Sequence, residues 1–380
     1  MTKTNAKEVG TLSLALLGVT VVGYLILKAL WTEGHAAFNT TNAGVHWGLP
    51  IVIYDYFLLT STGLAMIASL AILSGSETFR PIIKRAAWLA LAGLAGGVVV
   101  LMLELGHPLR ALVTIPTSFA FTSPLYWKAM AIGLYVLSLV LLIARMLKAE
   151  WDPAALRGHA ILTLVLALFI TAAAGAVYGS NSFRPFWASG DIPVAFIFES
   201  LLGGLAFIYF FTYLAYAFDT AAMPQGIKRL FNGPLPGLFA LAIFVHLLFV
   251  LARMVNGLYG NVEGLQVWQH TAASPLFLIE VMLGLALPLV LMLVAATRTK
   301  PWAQVIAALL VMNALLLSRY EYIIGGQLVP MFKGAWAPEL INYLPSPTEW
   351  LLLLLAIMVS NALNAFGELT LDLGRERAHA

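Results

Sequence analysis

The chain contains no cysteine. Disulfides and cysteine-ligated iron–sulfur clusters are therefore excluded from it. Charge is nearly as scarce: Asp, Glu, Lys and Arg make up 10% of the 380 residues, against 61% hydrophobic ones. Soluble domains carry about 25% charged residues, so a water-soluble globule is excluded too. The net charge of +3 is small and scattered, which suits anchoring at a membrane face and implies no nucleic acid.

What the chain does have is apolar runs long enough to cross a bilayer. They fall at 12–30, 51–73, 86–103, 125–147, 161–178, 194–218, 238–255, 276–296, 302–324 and 350–366. The expected fold is all-α and integral to the membrane, with ten transmembrane helices joined by short loops and no soluble domain. The first run is too long for a signal-peptide core, and no small-residue cleavage site follows it.

Lys3, Lys7, Arg80, Lys84, Arg85, Arg145, Lys148, Arg157, Lys228, Arg229, Arg298, Lys300, Arg375 and Arg377 fall on one side of these helices. Only Lys28, Arg110, Lys128, Arg184, Arg253, Arg319 and Lys333 fall on the other. The excess of basic residues predicts that both termini are cytoplasmic. The expected location is the cytoplasmic (inner) membrane of a bacterium or archaeon, surrounded by lipid.

An internal repeat organises the middle of the chain. Pro50-Ile-Val-Ile-Tyr-Asp followed by Gly63 is echoed by Pro193-Val-Ala-Phe-Ile-Phe-Glu followed by Gly203-Gly204. Arg110 is echoed by Arg253 at the same offset of 143 as Pro50 to Pro193, and Ser123-Pro-Leu-Tyr by Ser274-Pro-Leu-Phe. The repeat predicts two four-helix bundles, helices 2–5 and helices 6–9, flanked by helices 1 and 10. Four helices is an even number, so the two copies point the same way. The expected divisions are 1–46 (first helix and outer loop), 47–190 (first bundle), 191–330 (second bundle) and 331–380 (outer loop, last helix and tail).

Ionisable groups inside a membrane are costly unless paired or used, and they gather where helix 3 ends. In 104–127, ELGHPLRALVTIPTSFAFTSPLYW, Glu104 and His107 are spaced to share a helix face. Pro108 is expected to end the helix at His107, and Arg110 follows at the negative helix end. Tyr54, Asp55, Tyr178, Asn181 and Arg184 reach the same side from helices 2 and 5, with His46 in the loop before them. Such a pocket, apolar in its walls and polar at its end, suits a quinone: two carbonyls want donors, and two-electron redox needs groups that exchange two protons. The plainer alternative is a set of ion pairs knitting helix ends to loops.

The second half is not chemically equal. It carries Glu199, Glu280, Arg319 and Glu321, which read equally well as a proton path or an ion-pair cluster. No carboxylate is evident in the cytoplasmic halves of helices 6–9, so any path would stop midway from the outer side. A bis-histidine haem needs two imidazoles at matched depth. Only His246 is mid-helix, while His35, His46, His107, His159, His270 and His379 lie at helix ends or in the tail. Haem is not expected, and His246 alone reads first as a packing residue. Trp31, Trp47, Trp88, Trp127, Trp151, Trp187, Trp302 and Trp350 read as interface belts.

The Trp47-Gly-Leu-Pro-Ile opening of helix 2, the E-L-G-H-P-L-R end of helix 3, T-S-P-L-Y-W and the late R-Y…G-G-Q…P stretch together resemble the NrfD-type polysulfide reductase membrane subunit family. The resemblance covers about 47–330, and ten spans are similar to its longer branch, which serves hydrogenase, tetrathionate reductase and sulfite-reductase-linked complexes. It implies a membrane anchor that oxidises quinol (or reduces quinone), menaquinone or ubiquinone. It also implies a periplasmic-side, four-cluster ferredoxin-like iron–sulfur subunit, which serves a molybdopterin, hydrogenase or multihaem catalytic subunit. Glu104 matches the family's pocket acid, commonly Asp, and Tyr178 its pocket tyrosine.

The assignment from the residues is then Glu104, His107 and Asp55 as proton-handling groups, with Tyr54, Arg110, Tyr178, His46 and Asn181 binding the quinone. Glu199, His246, Glu280, Arg319 and Glu321 form the candidate proton path. No metal, haem or iron–sulfur cluster is expected in the chain itself. The stretches 183–192 and 331–347 are the expected docking surface for the iron–sulfur partner. Two rival readings are a secondary transporter, which should show mid-span helix breaks in both halves, and a cytochrome b-type subunit.

Overall fold

The computed structural model describes residues 3–40, 44–148, 152–260, 264–330, 339–371 and 373. Trp151, Lys333, Arg375, Arg377, His379 and the 331–338 part of the expected docking surface lie outside the described residues.

The described residues hold ten helices long and apolar enough to cross a membrane. They are α1 (Lys3–Glu33), α2 (Leu49–Leu73), α3 (Arg80–Glu104), α4 (Pro124–Lys148), α5 (Pro153–Gly179), α6 (Ile192–Ala215), α7 (Pro234–Gly260), α8 (Pro275–Leu293), α9 (Pro301–Gly325) and α10 (Pro347–Thr370). In every one from α2 to α10, proline stands at the first or second position. There its missing N–H costs nothing and its fixed φ is already helical. α6 ends before Ala217 and Phe218, whose backbones turn left-handed at φ 53° and 60°, short of the apolar run that continues to Phe218.

α2 is the hub, buried along nearly its whole length, and packs against α3, α5 and α6. α4 lies on α5; α6 touches α7 and α9, and α8 lies between α7 and α9. α1 and α10 pack together, and α10 also packs against α3. The other faces carry exposed Leu, Val, Ile and Phe, as a lipid-facing surface requires.

The two halves meet at a crossing of small residues. A Cβ on Gly63 would overlap the Ser200 carbonyl of α6, and one on Gly204 would overlap the backbone of Gly63 and Leu64. Around it, Thr171 donates to Thr62 at 2.8 Å, and Thr62 reaches Ser200 at 3.5 Å. Small residues and hydroxyls of this kind let membrane helices approach closely.

The basic end of the molecule carries a buried bidentate pair, Arg85 Nε to Glu368 Oε1 at 2.7 Å and Nη2 to Oε2 at 3.3 Å, which ties α3 to α10. The opposite end, called the far end below, holds the starts of α2, α4, α6, α8 and α10. A π-helical stretch, Ile279–Ala286, interrupts α8 ahead of Pro288, while α2 to α5 run as unbroken α-helices. The break expected of a transporter in both halves is thus present in one.

Candidate functional site

The polar centre of the first half is Asp55, fully buried one and a half turns into α2. Its Oδ1 accepts from Lys128 Nζ of α4 at 2.6 Å, and its Oδ2 accepts from the Tyr178 hydroxyl of α5 at 2.5 Å. Lys128 Nζ also lies 4.8 Å from the centre of the Tyr54 ring. Three helices thus deliver a carboxylate, an ammonium and a phenol to one point, and their packing holds them there. Taking these charges out of water is costly, and only their mutual hydrogen bonds offset it.

The second half repeats this arrangement with different chemistry. Glu199 stands 144 residues after Asp55, and Tyr322 stands 144 after Tyr178. Here Arg319 of α9 supplies the cation, its Nη2 donating to Glu199 Oε2 at 2.5 Å. The two centres are close neighbours. Phe196 lies 3.9 Å under the Arg319 guanidinium and 6.1 Å from the Tyr178 ring, and Tyr322 packs edge-on to Tyr178 at 5.4 Å. A single aromatic layer separates the pairs.

Tyr178 is roofed toward the far end. Trp47 and Trp187 stack on each other at 5.5 Å, and both pack edge-on against its ring, at 5.7 and 5.3 Å. Trp187 donates to the Tyr322 carbonyl at 2.8 Å, and Arg184, just before it, donates to the Val329 carbonyl at 2.9 Å. Trp187 is buried and Trp47 half-buried, and both serve as roof groups over Tyr178, in contrast to the interface belts expected of them. Burial lowers the Arg184 pKa from its ordinary value.

The Gly325-Gly326-Gln327 stretch explains itself in this roof. A Cβ at Gly326 would overlap the Trp187 indole, and one at Gly325 would come within 2.8 Å of the Phe186 ring. Gln327 accepts from the backbone N–H groups of His46 and Trp47, both at 2.9 Å, and donates to the Trp47 and Ile323 carbonyls. Replacing Gln327 by Leu removes four hydrogen bonds and is expected to destabilise the protein by about 2–4 kcal/mol, read as a lowered Tm in detergent. A parallel clamp holds α10: Glu349 accepts from Tyr343 at 2.5 Å, and the Tyr343 hydroxyl accepts from Leu49 N–H at 2.7 Å. Burial, then the Glu349 carboxylate, pushes the Tyr343 phenol up from its ordinary pKa.

The group at the end of α3 is arranged differently from the sequence expectation. α3 stops at Glu104 with Leu105 extended, at φ −67° and ψ 127°. Pro108 begins a separate short helix, Pro108–Thr117, instead of ending α3 at His107. Glu104 and His107 therefore do not share a helix face. His107 and Arg110 are exposed, and Glu104 is half-buried. Gly97 of α3 packs beside Tyr54, so Glu104, seven residues on, stands roughly 10 Å nearer the far end than the Asp55 centre. Arg110 has no counterpart role to Arg253, which lies inside α7 with its guanidinium 4.1 Å from the Tyr322 ring centre.

Asp55, Tyr54 and Tyr178 thus come together, while His46 is exposed and engaged through its backbone N–H, and Asn181 is half-buried. Glu199, Arg319, Glu280, Glu321 and His246 gather around one cavity in the second half. Lys128 was legible only as one of seven cations on the sparse side. Its position 73 residues after Asp55 gives no local signal, because the two sit on different helices.

The family model described as polysulphide reductase, NrfD, matches residues 38–331. A selenate reductase subunit of Mesobacillus selenatarsenatis is 23% identical, with 87% of each chain covered. The Hdr-like menaquinol oxidoreductase integral membrane subunit of Archaeoglobus fulgidus is 24% identical, covering 90% of this chain and 87% of that protein. A ten-helix membrane chain matched over that length belongs to the NrfD polysulphide reductase family.

Proposed function

We propose that this chain is the quinol-oxidising (or quinone-reducing) membrane subunit of a respiratory oxidoreductase complex. The observation that carries the reading is the buried Asp55 carboxylate held between Lys128 and Tyr178. Quinol oxidation yields two electrons and two protons. Asp55 is the acceptor for protons at depth, Glu104 the carboxylate nearer the membrane face, and Tyr54 and Lys128 the donors that orient the carbonyl oxygens, while Tyr178, whose one O–H goes to Asp55, holds that carboxylate in place. The donor set fits the head group of a menaquinone or ubiquinone, and the Archaeoglobus relative's description favours menaquinone. The first half, 47–190, is the quinone-handling unit and 191–330 its polar counterpart.

The chain has no cysteine, so the electrons pass to a partner's cluster. That partner is a four-cluster, ferredoxin-like iron–sulfur subunit on the far end, serving a molybdopterin, hydrogenase or multihaem catalytic subunit. The far end faces the periplasm or its equivalent, and the basic end with both termini faces the cytoplasm. The unbroken helices of the first half support this reading over a transporter.

The test is menaquinol-driven reduction of the co-purified partner's clusters, followed by electron paramagnetic resonance. Glu104→Gln keeps the shape and removes the acceptor, so turnover should fall about 10²-fold in a fully assembled complex. Wild-type turnover in that variant would remove Glu104 from the mechanism. A purified complex that neither binds quinone nor contains an iron–sulfur subunit would overturn the whole reading.

A further inference from the structure

The second half surrounds a cavity of about 60 Å³ deep between α6, α7, α8 and α9. Seven buried polar atoms on its lining residues have no hydrogen-bond partner among the described residues: both ring nitrogens of His246, Trp268 Nε1, Glu280 Oε1, Arg319 Nε and Nη1, and Glu321 Oε1. Buried polar atoms left without partners are strongly disfavoured. A polar cavity of this volume has room for about four waters, each needing two to four polar partners. The number of orphan donors and acceptors suits that occupancy. His246 is buried, and neither of its ring nitrogens has a hydrogen-bond partner among the described residues.

The cavity is not isolated. Glu321 and Thr271 also line a larger cavity of about 390 Å³ at the far end, with Tyr320, His270 and Ser274. Glu280 and Glu321 both line the small cavity, and each has a carboxylate oxygen with no hydrogen-bond partner among the described residues. On the inner side, Arg319 and Glu199 line the small cavity, and so does Tyr322, a member of the aromatic layer that covers Tyr178. Asp191 and Arg253 complete its charged lining. The π-helical turn of α8 carries Glu280, and such turns recur where a membrane or active-site helix aims a functional group.

We propose that the second half binds a water cluster in the small cavity and that this cluster is the exit for the protons released in the first half. The inference rests on the quinol reading above. Protons lost at the Asp55–Tyr178 centre cross the Tyr322 layer to Glu199 and the waters. They then pass to Glu280 and to Glu321, which lines both cavities, and leave through the far-end cavity. The electrons take the separate route to the partner's iron–sulfur cluster, so each quinol gives two protons to the far side and two electrons to the acceptor.

Two measurements test it. Radiolytic hydroxyl labelling of the intact complex in ¹⁸O water should modify Trp268, Tyr322 and Met254, which are buried but line the cavity; absence of label on all three would overturn the bound water. Complex in sealed vesicles, driven by menaquinol and read by a pH dye on the far side, should lose at least tenfold in rate in Glu280→Gln and in Glu321→Gln. Its infrared difference spectrum should lose the protonated-carboxyl band in the same variants. Wild-type rates and an unchanged band in both, while Asp55→Asn abolishes turnover, would overturn the exit and leave the quinol reading standing. Normal turnover in Asp55→Asn would instead strike the quinol reading itself.

Discussion

Asp55→Asn should lower menaquinol-driven turnover of the assembled complex by about 10²-fold or more, the usual worth of a positioned proton acceptor. The amide keeps the size of the side chain and its bond to Tyr178, yet it takes up no proton at neutral pH. The same change leaves Lys128 buried without its counter-charge, and breaking a buried pair from one side costs about 3–5 kcal/mol. Loss of turnover alone would therefore mix two causes. The double variant Asp55→Asn/Lys128→Met separates them. Removing both charges should restore much of the Tm, because a buried pair replaced by apolar groups is close to neutral. Turnover should stay low. A double variant that is stable and fully active would show that the pair serves structure alone.

The second large effect is mechanical. Gly63→Val should abolish folded protein, since its Cβ would overlap the Ser200 carbonyl. That atom is backbone, so no side-chain rotation relieves the overlap, and α2 and α6 must separate. Overpacking in a tight core typically costs about 1–3 kcal/mol, occasionally more; here it strikes the interface between the two halves. Gly133→Val is the control, because nothing lies within 4 Å of a Cβ there. Monodisperse elution in detergent and the Tm measure both. Equal behaviour of the two variants would show that the crossing tolerates separation.

The membrane helices were legible because a bilayer forces long apolar runs, and most runs became helices a few residues longer at their ends. The Pro50 and Pro193 starts and the Gly63 and Gly204 echoes pointed to structural equivalents, since both signals act within a few residues of their own sequence. Asp55 and Tyr178 were legible as well, as a carboxylate and a phenol near helix ends on one side. The local geometry at 104–110 was misjudged, because the spacing suggested a shared helix face and the backbone turns extended at Leu105. Lys128, Trp47, Trp187 and Gln327 escaped for a different reason: their roles come from partners on other helices, as with Gln327 and the backbone of residue 47, 280 positions apart. The echo of Pro50…Asp55 in Pro193…Glu199 was the long-range signal for the paired carboxylates, and the same offset of 144 from Tyr178 to Tyr322 extends it to the phenols.

The roof over Tyr178 has a consequence for the order in which the molecule is made. Asp55, Lys128 and Tyr178 all emerge in the first half of synthesis, and chains are built from the N-terminus at about 5–20 residues per second. The roof is fixed by Gln327, and the start of α2 by Tyr343 and Glu349, near the other end of the chain. A nascent chain therefore carries its charged centre through the membrane for the time needed to make well over a hundred further residues before the roof closes. During that interval Asp55, Lys128 and Tyr178 have each other and lack the tryptophan cover. A chain stopped after α5 would keep the reactive groups and expose them to lipid and water alike. The last helices are in this sense the closing step of the first site.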